Sequence, residues 1–266
     1  MNDLKKIVVL IDADNTQLKM LELVFQEIST HGRIVVKRAY GNWKKGTLKD
    51  WENEMKRLAI KPVQQFDYVS GKNATDIALA IDAMELLHSE IYDGFIIVSS
   101  DSDYTPLVIK LRESGVYVIG VGERKTPEPF RNSCDQFLFL ENLYPSDNKN
   151  HNSDTDLDDD NASQTTTSGF DNIMDNIEIS NDLDSTNDEK ILHDLLKKAW
   201  ETYQDDEEFV NISSAGPYIK RVKPDFDIRT YGFKKLPEFI KAFDDIYEYK
   251  TYKGKGKVTI FAYRCK

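Results

Sequence analysis

The chain predicts an α/β fold, a doubly wound parallel sheet, followed by a second, small α+β domain. Three observations carry this. Over residues 1–145, short runs that are apolar throughout alternate with longer runs at helical spacing, the pattern of parallel strands covered on both faces. Residues 146–188 are then dominated by Asp, Asn, Ser and Thr. From residue 189 the pattern changes to helices followed by two alternating β segments.

Taken in order, the first domain has strand candidates at 6–11, 33–40, 61–66, 95–98, 117–121 and 137–140. Between them lie helix candidates at 16–29, 47–58, 74–87, 104–114 and a short 127–134. The helix at 74–87 is apolar nearly all round and is expected to be buried. Residues 146–188 lack the apolar surface to offset chain entropy and read as a disordered linker. Within them, 170–179 is a weak candidate docking motif, with plain linker sequence the preferred reading. In the second domain, 189–203 carries Ile191, Leu192, Leu195, Leu196 and Trp200 on one helical face. A helix over 209–222 is expected to be capped by Ser213 or Ser214, with Pro217 in its first turn. A third helix spans 235–243, and 246–252 and 257–263 form a hairpin through Gly254-Lys255-Gly256.

Charge is unevenly spread. Residues 1–145 hold 18 basic and 21 acidic groups, 146–187 hold 1 and 11, and 188–266 hold 16 and 14. The overall −11 is therefore mostly the middle segment, and it does not argue against a nucleic-acid partner. Two cysteines, Cys134 and Cys265, give neither a disulfide framework nor a zinc site, and Cys134 is expected to be a buried core thiol. With no membrane span and no signal peptide in the reading, a cytoplasmic location is expected.

The chemistry is expected where the acids are. Asp12 and Asp14 end the first strand, and Asp101 and Asp103 follow the fourth. Parallel sheets place their sites beyond the carboxyl ends of strands, at the point where strand order reverses. If the first and fourth strands are neighbours there, Asp12, Asp101 and Asp103 crowd together, and Asp76 in the first turn of its helix completes the set. Crowded carboxylates repel unless protonated or bound to metal, so Mg²⁺ or Mn²⁺ is the expected cofactor. Asp82 is rotated away from Asp76 and is assigned a structural part.

The runs Ile11-Asp12-Ala13-Asp14-Asn15, Lys72-Asn73-Ala74-Thr75-Asp76 and Ser99-Ser100-Asp101-Ser102-Asp103-Tyr104 resemble the three motifs of NYN domains of the LabA-like kind. These domains belong to the PIN-like nuclease superfamily. The resemblance covers about residues 5–143 and implies a metal-dependent ribonuclease. It implies Asp12, Asp76, Asp101 and Asp103 as catalytic metal ligands, supported by Asn15 and Ser99, and leaves Asp14 as a helix cap. Tyr40, Trp43, Lys44, Lys45, Lys72 and Arg131 are candidate RNA contacts, since aromatic and basic groups together suit a single strand. Asp12-Ala13-Asp14-Asn15-Thr16 also matches the DxDxT motif of haloacid-dehalogenase-type phosphatases, an alternative with Asp12 as nucleophile.

Residues 189–264 resemble the LOTUS, or OST-HTH, winged-helix domain, most specifically at Tyr231-Gly232-Phe233-Lys234-Lys235-Leu236. The resemblance implies RNA binding or protein docking. Lys220, Arg221, Lys234, Lys235 and the wing residue Lys255 are the candidate phosphate contacts. The expectation is a ribonuclease tethered by its linker to an RNA reader, the rival being an inactive RNA-binding scaffold.

Overall fold

The computed structural model describes residues 4–68, 73–144, 181–253 and 259–266, without the side chains of 181–188. The first part holds a parallel sheet with strand order β3-β2-β1-β4-β5-β6. Its strands are β1 (Leu4–Asp12), β2 (Gly32–Gly41), β3 (Lys61–Gln64), β4 (Gly94–Val98), β5 (Tyr117–Gly122) and β6 (Gln136–Phe139). The order reverses between β1 and β4, which pair in parallel from Ile7–Gly94 to Ile11–Val98. This is the switch point that the acidic strand ends anticipate.

The alternation within β1 builds both cores. Ile7, Val9 and Ile11 pack with Val24, Phe25 and Ile28 of α1 (Leu21–Ser29) and Trp51 and Met55 of α2 (Trp51–Arg57). Val8 and Leu10 face the other way, toward α3 (Ala74–His88), α4 (Thr105–Glu113) and Phe130 of α5 (Glu128–Ser133). Each large apolar side chain buried this way contributes roughly 1.5–3 kcal/mol. Packing at β5 is tight. A Cβ on Gly120 would meet Phe137 at 2.6 Å and the Cys134 sulfur at 2.7 Å. Gly120→Ala is expected to cost about 1–3 kcal/mol, read as a lowered urea midpoint with unchanged slope. Cys134 is the core thiol expected, with its pKa pushed up to about 12 by burial.

Two expectations change and a third holds. α3 is not buried all round: Leu79, Ala83 and Leu86 face the sheet while Ile77 and Ile81 are more than half exposed. A helix laid on one face of a sheet has only one stripe to bury, whatever its composition. Asp14 caps no helix, because a 3-10 turn begins only at Leu18 and α1 at Leu21; its carboxylate instead meets Lys45 at 3.3 Å. Asp82 does take the structural part expected, accepting from the Tyr40 hydroxyl and pairing with Arg38.

The second part contains α6 (Asn181–Tyr203), α7 (Ile212–Val222), α8 (Leu236–Ala242) and a sheet ordered β7-β9-β8. β7 is Val210–Asn211, β8 Tyr247–Lys253 and β9 Thr259–Cys265. Helix α6 begins eight residues before the expected Glu189, so the end of the expected linker is helical. Asn211, not Ser213 or Ser214, caps α7 by accepting from the Ser213 amide at 2.9 Å, which leaves Pro217 inside the helix. The expected linker up to residue 180, with the run 170–179, lies outside the described residues, as does the hairpin tip.

Residues 195–266 pack with 1–144 as one compact unit. The amide of Phe137, on edge strand β6, donates to Pro224 O at 2.9 Å. Arg131 donates to Asp225 at 2.5 Å, and Asn142 to Thr230 at 2.9 Å. The expected tether lies outside the described residues, and the two modules make these specific contacts besides. Pairing the Phe137 amide satisfies one donor on the outer edge of β6.

Candidate active site

The site grows from the end of β1. Asp12 is fully buried. One carboxylate oxygen accepts from Asn15 Nδ2 and from Ser99 Oγ, each at 2.9 Å, and the other from the Asp14 amide at 3.2 Å. Ser99, at the end of β4, also accepts from the Asp101 amide at 3.1 Å, so one hydroxyl couples the two strand ends. The Thr16 hydroxyl donates to Val98 O at 3.1 Å and holds the β1 loop against β4. Burial raises the Asp12 pKa above the ordinary carboxylate value. The Asn15 and Ser99 hydrogen bonds oppose the rise, and the charges of Asp76 and Asp14 add to it.

The other acids line the same edge. Asp101 accepts from the Asp103 amide at 2.9 Å and so caps the turn that leads into α4. Asp103 accepts from Asn73 Nδ2 at 2.8 Å. Asn73 is therefore spent on Asp103 and makes no side-chain cap on α3. Asp76 accepts from the buried Tyr104 hydroxyl at 2.7 Å. Burial raises the Asp76 pKa, the Tyr104 bond opposes, and the charges of Asp101, Asp103 and Asp14 raise it further. Tyr104 is raised too, first by burial and then by Asp12 and Asp76.

Asp12, Asp101 and Asp103 thus follow neighbouring strand ends, and Asp76 lies close enough to act on Asp12 and to feel Asp101 and Asp103. All four offer hard oxygen donors, the chemistry that suits Mg²⁺ or Mn²⁺. Yet among the described residues no three His, Cys, Asp or Glu side chains converge as a metal-binding group. Each carboxylate is turned onto a neutral donor nearby. A polar groove of about 420 Å³ runs beside them, lined by Asp14, Asn15, Asp101, Ser102, Glu123 and Lys125. A separate apolar groove of about 650 Å³ follows α3 past Ile77, Ile81 and Met84.

The expected RNA contacts divide. Tyr40 is fully buried with its hydroxyl on Asp82, so its ring has no face for a base. Trp43 is half-buried against Trp51, 5.9 Å between ring centres. Lys44 is exposed, and Lys45 bridges Asp14 and Asp67 at 3.3 and 3.5 Å. Arg131 is taken up by Asp225. Lys220 is half-buried near Glu27 and Asp227, its pKa lowered by burial against their opposing charge. Arg221, Lys234 and Lys235 are exposed. Lys72 and Lys255 lie outside the described residues.

Sequence reasoning gave Asn73 only a possible cap on its helix, which the structure does not show, and gave no part to Tyr104 or Phe66. Asn73 and Tyr104 lie inside quoted motifs, but their partners are 30 and 28 residues away, and no local spacing reports that.

Two family models match the chain: the NYN domain over residues 6–141 and the OST-HTH/LOTUS domain over 185–259. No curated protein matches. Among solved structures, a Vibrio parahaemolyticus protein of unknown function is 19% identical, covering 54% of this chain and 98% of that one, with a TM-score of 0.44. An uncharacterized Nitrosomonas europaea protein is 21% identical, covering 44% and 91%, with a TM-score of 0.25. Among the described residues no helix is long and apolar enough to cross a membrane.

Proposed function

The chain belongs to the NYN domain family, part of a nuclease superfamily, and on that premise we propose that it is a metal-dependent ribonuclease with a C-terminal RNA-binding module. The reading is supported by Asp12 and Asp101–Asp103 following the paired strands β1 and β4 at the switch point, with Asp76 near enough that, after burial, its charge helps raise the Asp12 pKa and those of Asp101 and Asp103 help raise its own. Asp12, Asp76, Asp101 and Asp103 are the residues that would hold Mg²⁺ or Mn²⁺. A bound ion of this kind polarises water and offsets charge developing at phosphorus.

The chain's own groups do the rest. Asn15 and Ser99 fix the Asp12 carboxylate, Tyr104 fixes Asp76, and Asn73 fixes Asp103. Lys44 supplies positive charge beside the edge, and Arg221, Lys234 and Lys235 are the exposed candidates on the second module. Arg131 and Lys220 are better assigned to joining the two modules.

Cleavage of single-stranded RNA with added Mg²⁺ or Mn²⁺ tests the reading. Asp76→Asn and Asp101→Asn are each expected to lower the rate by roughly 10²-fold or more. Equal rates in wild type and both variants would sink it. A second reading, RNA binding without turnover, is favoured by the neutral donors that already hold Asp12, Asp76 and Asp103. It predicts binding with no metal-dependent cleavage at all. The DxDxT motif of the phosphatase alternative lies inside the NYN match, and Asp14, which would be the acid–base in that chemistry, is tied to Lys45.

A further inference from the structure

We propose that Phe66, with Lys44 beside it, is a stacking platform for one unpaired base of the RNA strand that enters the acidic edge. The inference rests on the ribonucleotide-substrate reading above and deepens it. Phe66 follows β3, at the same carboxyl edge of the sheet as the acids, and is 52% exposed. Its exposed ring offers a flat apolar face of the kind on which an unpaired base stacks. Lys44 Nζ lies over the Phe66 ring, 5.1 Å from its centre, so a cation is at hand for the phosphate of a nucleotide stacked there.

The platform is also held in place. Gln65 N donates to Gly41 O at 3.1 Å, and Gln64 accepts from the Trp43 amide at 3.1 Å. Asn42 donates to Asp67 at 3.2 Å, and Lys45 ties Asp67 to Asp14 of the acidic loop. Phe66 is thereby flanked on both sides in sequence by anchored residues. β3 lies two strands from β1, about 10 Å at the ordinary spacing of a sheet. A base near the reacting phosphate can span that distance. The buried Tyr40 and half-buried Trp43 offer no comparable face.

The test uses the full chain carrying Asp12→Asn, so that RNA stays intact. Anisotropy is read with a labelled oligouridylate and with a series in which a single abasic residue is moved along it. One abasic position is expected to weaken binding about tenfold, within the range for a stacked base. Phe66→Leu should weaken the intact oligomer about as much and abolish the penalty at that position, while Phe66→Trp should keep both. An abasic profile identical in Phe66→Leu overturns the platform. If wild type cuts RNA but this coupling is absent, the platform alone fails. If wild type does not cut RNA yet the coupling is present, the platform stands and the ribonuclease reading fails.

Discussion

Asp12→Asn is expected to reduce RNA cleavage by roughly 10²-fold or more and, at the same time, to raise the melting temperature at neutral pH in the presence of a chelator. The two effects have one cause. Asp12 is fully buried, and its folded pKa is raised, first by burial and then by its acidic neighbours against two opposing hydrogen bonds. A raised carboxylate binds its proton more tightly folded than unfolded, so ionising it costs stability as pH climbs above the ordinary carboxylate range, about 3.9 for free Asp. Asparagine carries no such charge. The melting difference should therefore be largest near neutral pH and shrink on acidification, as wild-type Asp12 takes up its proton. Paired thermal melts across pH check the first half, and the cleavage assay the second. A variant that melts lower than wild type at neutral pH would show that the Asn15 and Ser99 bonds outweigh the buried charge.

Asp225→Ala is expected to destabilise the chain by about 3–5 kcal/mol. Asp225 is 5% exposed, and its partner Arg131 packs beside Phe139 with the guanidinium 5.7 Å from the ring centre. Deleting the carboxylate leaves the Arg131 charge without that partner, and its buried Nε already makes no hydrogen bond among the described residues. The Arg131 side chain retains some solvent access, which favours the lower end of that range. Urea denaturation measures the loss, and a double-mutant cycle with Arg131→Met separates the pair from the single deletions. The double variant should recover much of the loss, because an apolar side chain leaves no charge stranded. A midpoint unchanged in Asp225→Ala would mean that the pair does not join the two modules.

The strands of the sheet were legible because parallel strands buried on both faces are written as continuous apolar runs, and each of the six lies within a few residues of its expected place. The carboxylate positions were legible for a related reason: they directly follow those runs, or open a helix that packs on them. Tyr40 shows where this reasoning stops. Its sequence neighbours, Gly41-Asn42-Trp43-Lys44-Lys45, suggest an exposed aromatic rim, yet a strand alternates faces and Tyr40 falls on the one that α3 covers.

The sequence alone settled the chemistry available to this protein. It put hard oxygen donors at two strand ends, a polar acidic stretch between two folded patterns, and basic groups on a helical second module. Tertiary structure decided how that chemistry is shared out. It turned Asp12 onto Asn15 and Ser99, Asp76 onto Tyr104 and Asp103 onto Asn73, and it took Arg131 for Asp225. Periodicity reports which face a residue occupies within its own element. A hydrogen bond between elements depends on strand order and helix placement, so it exists only once the chain has closed on itself.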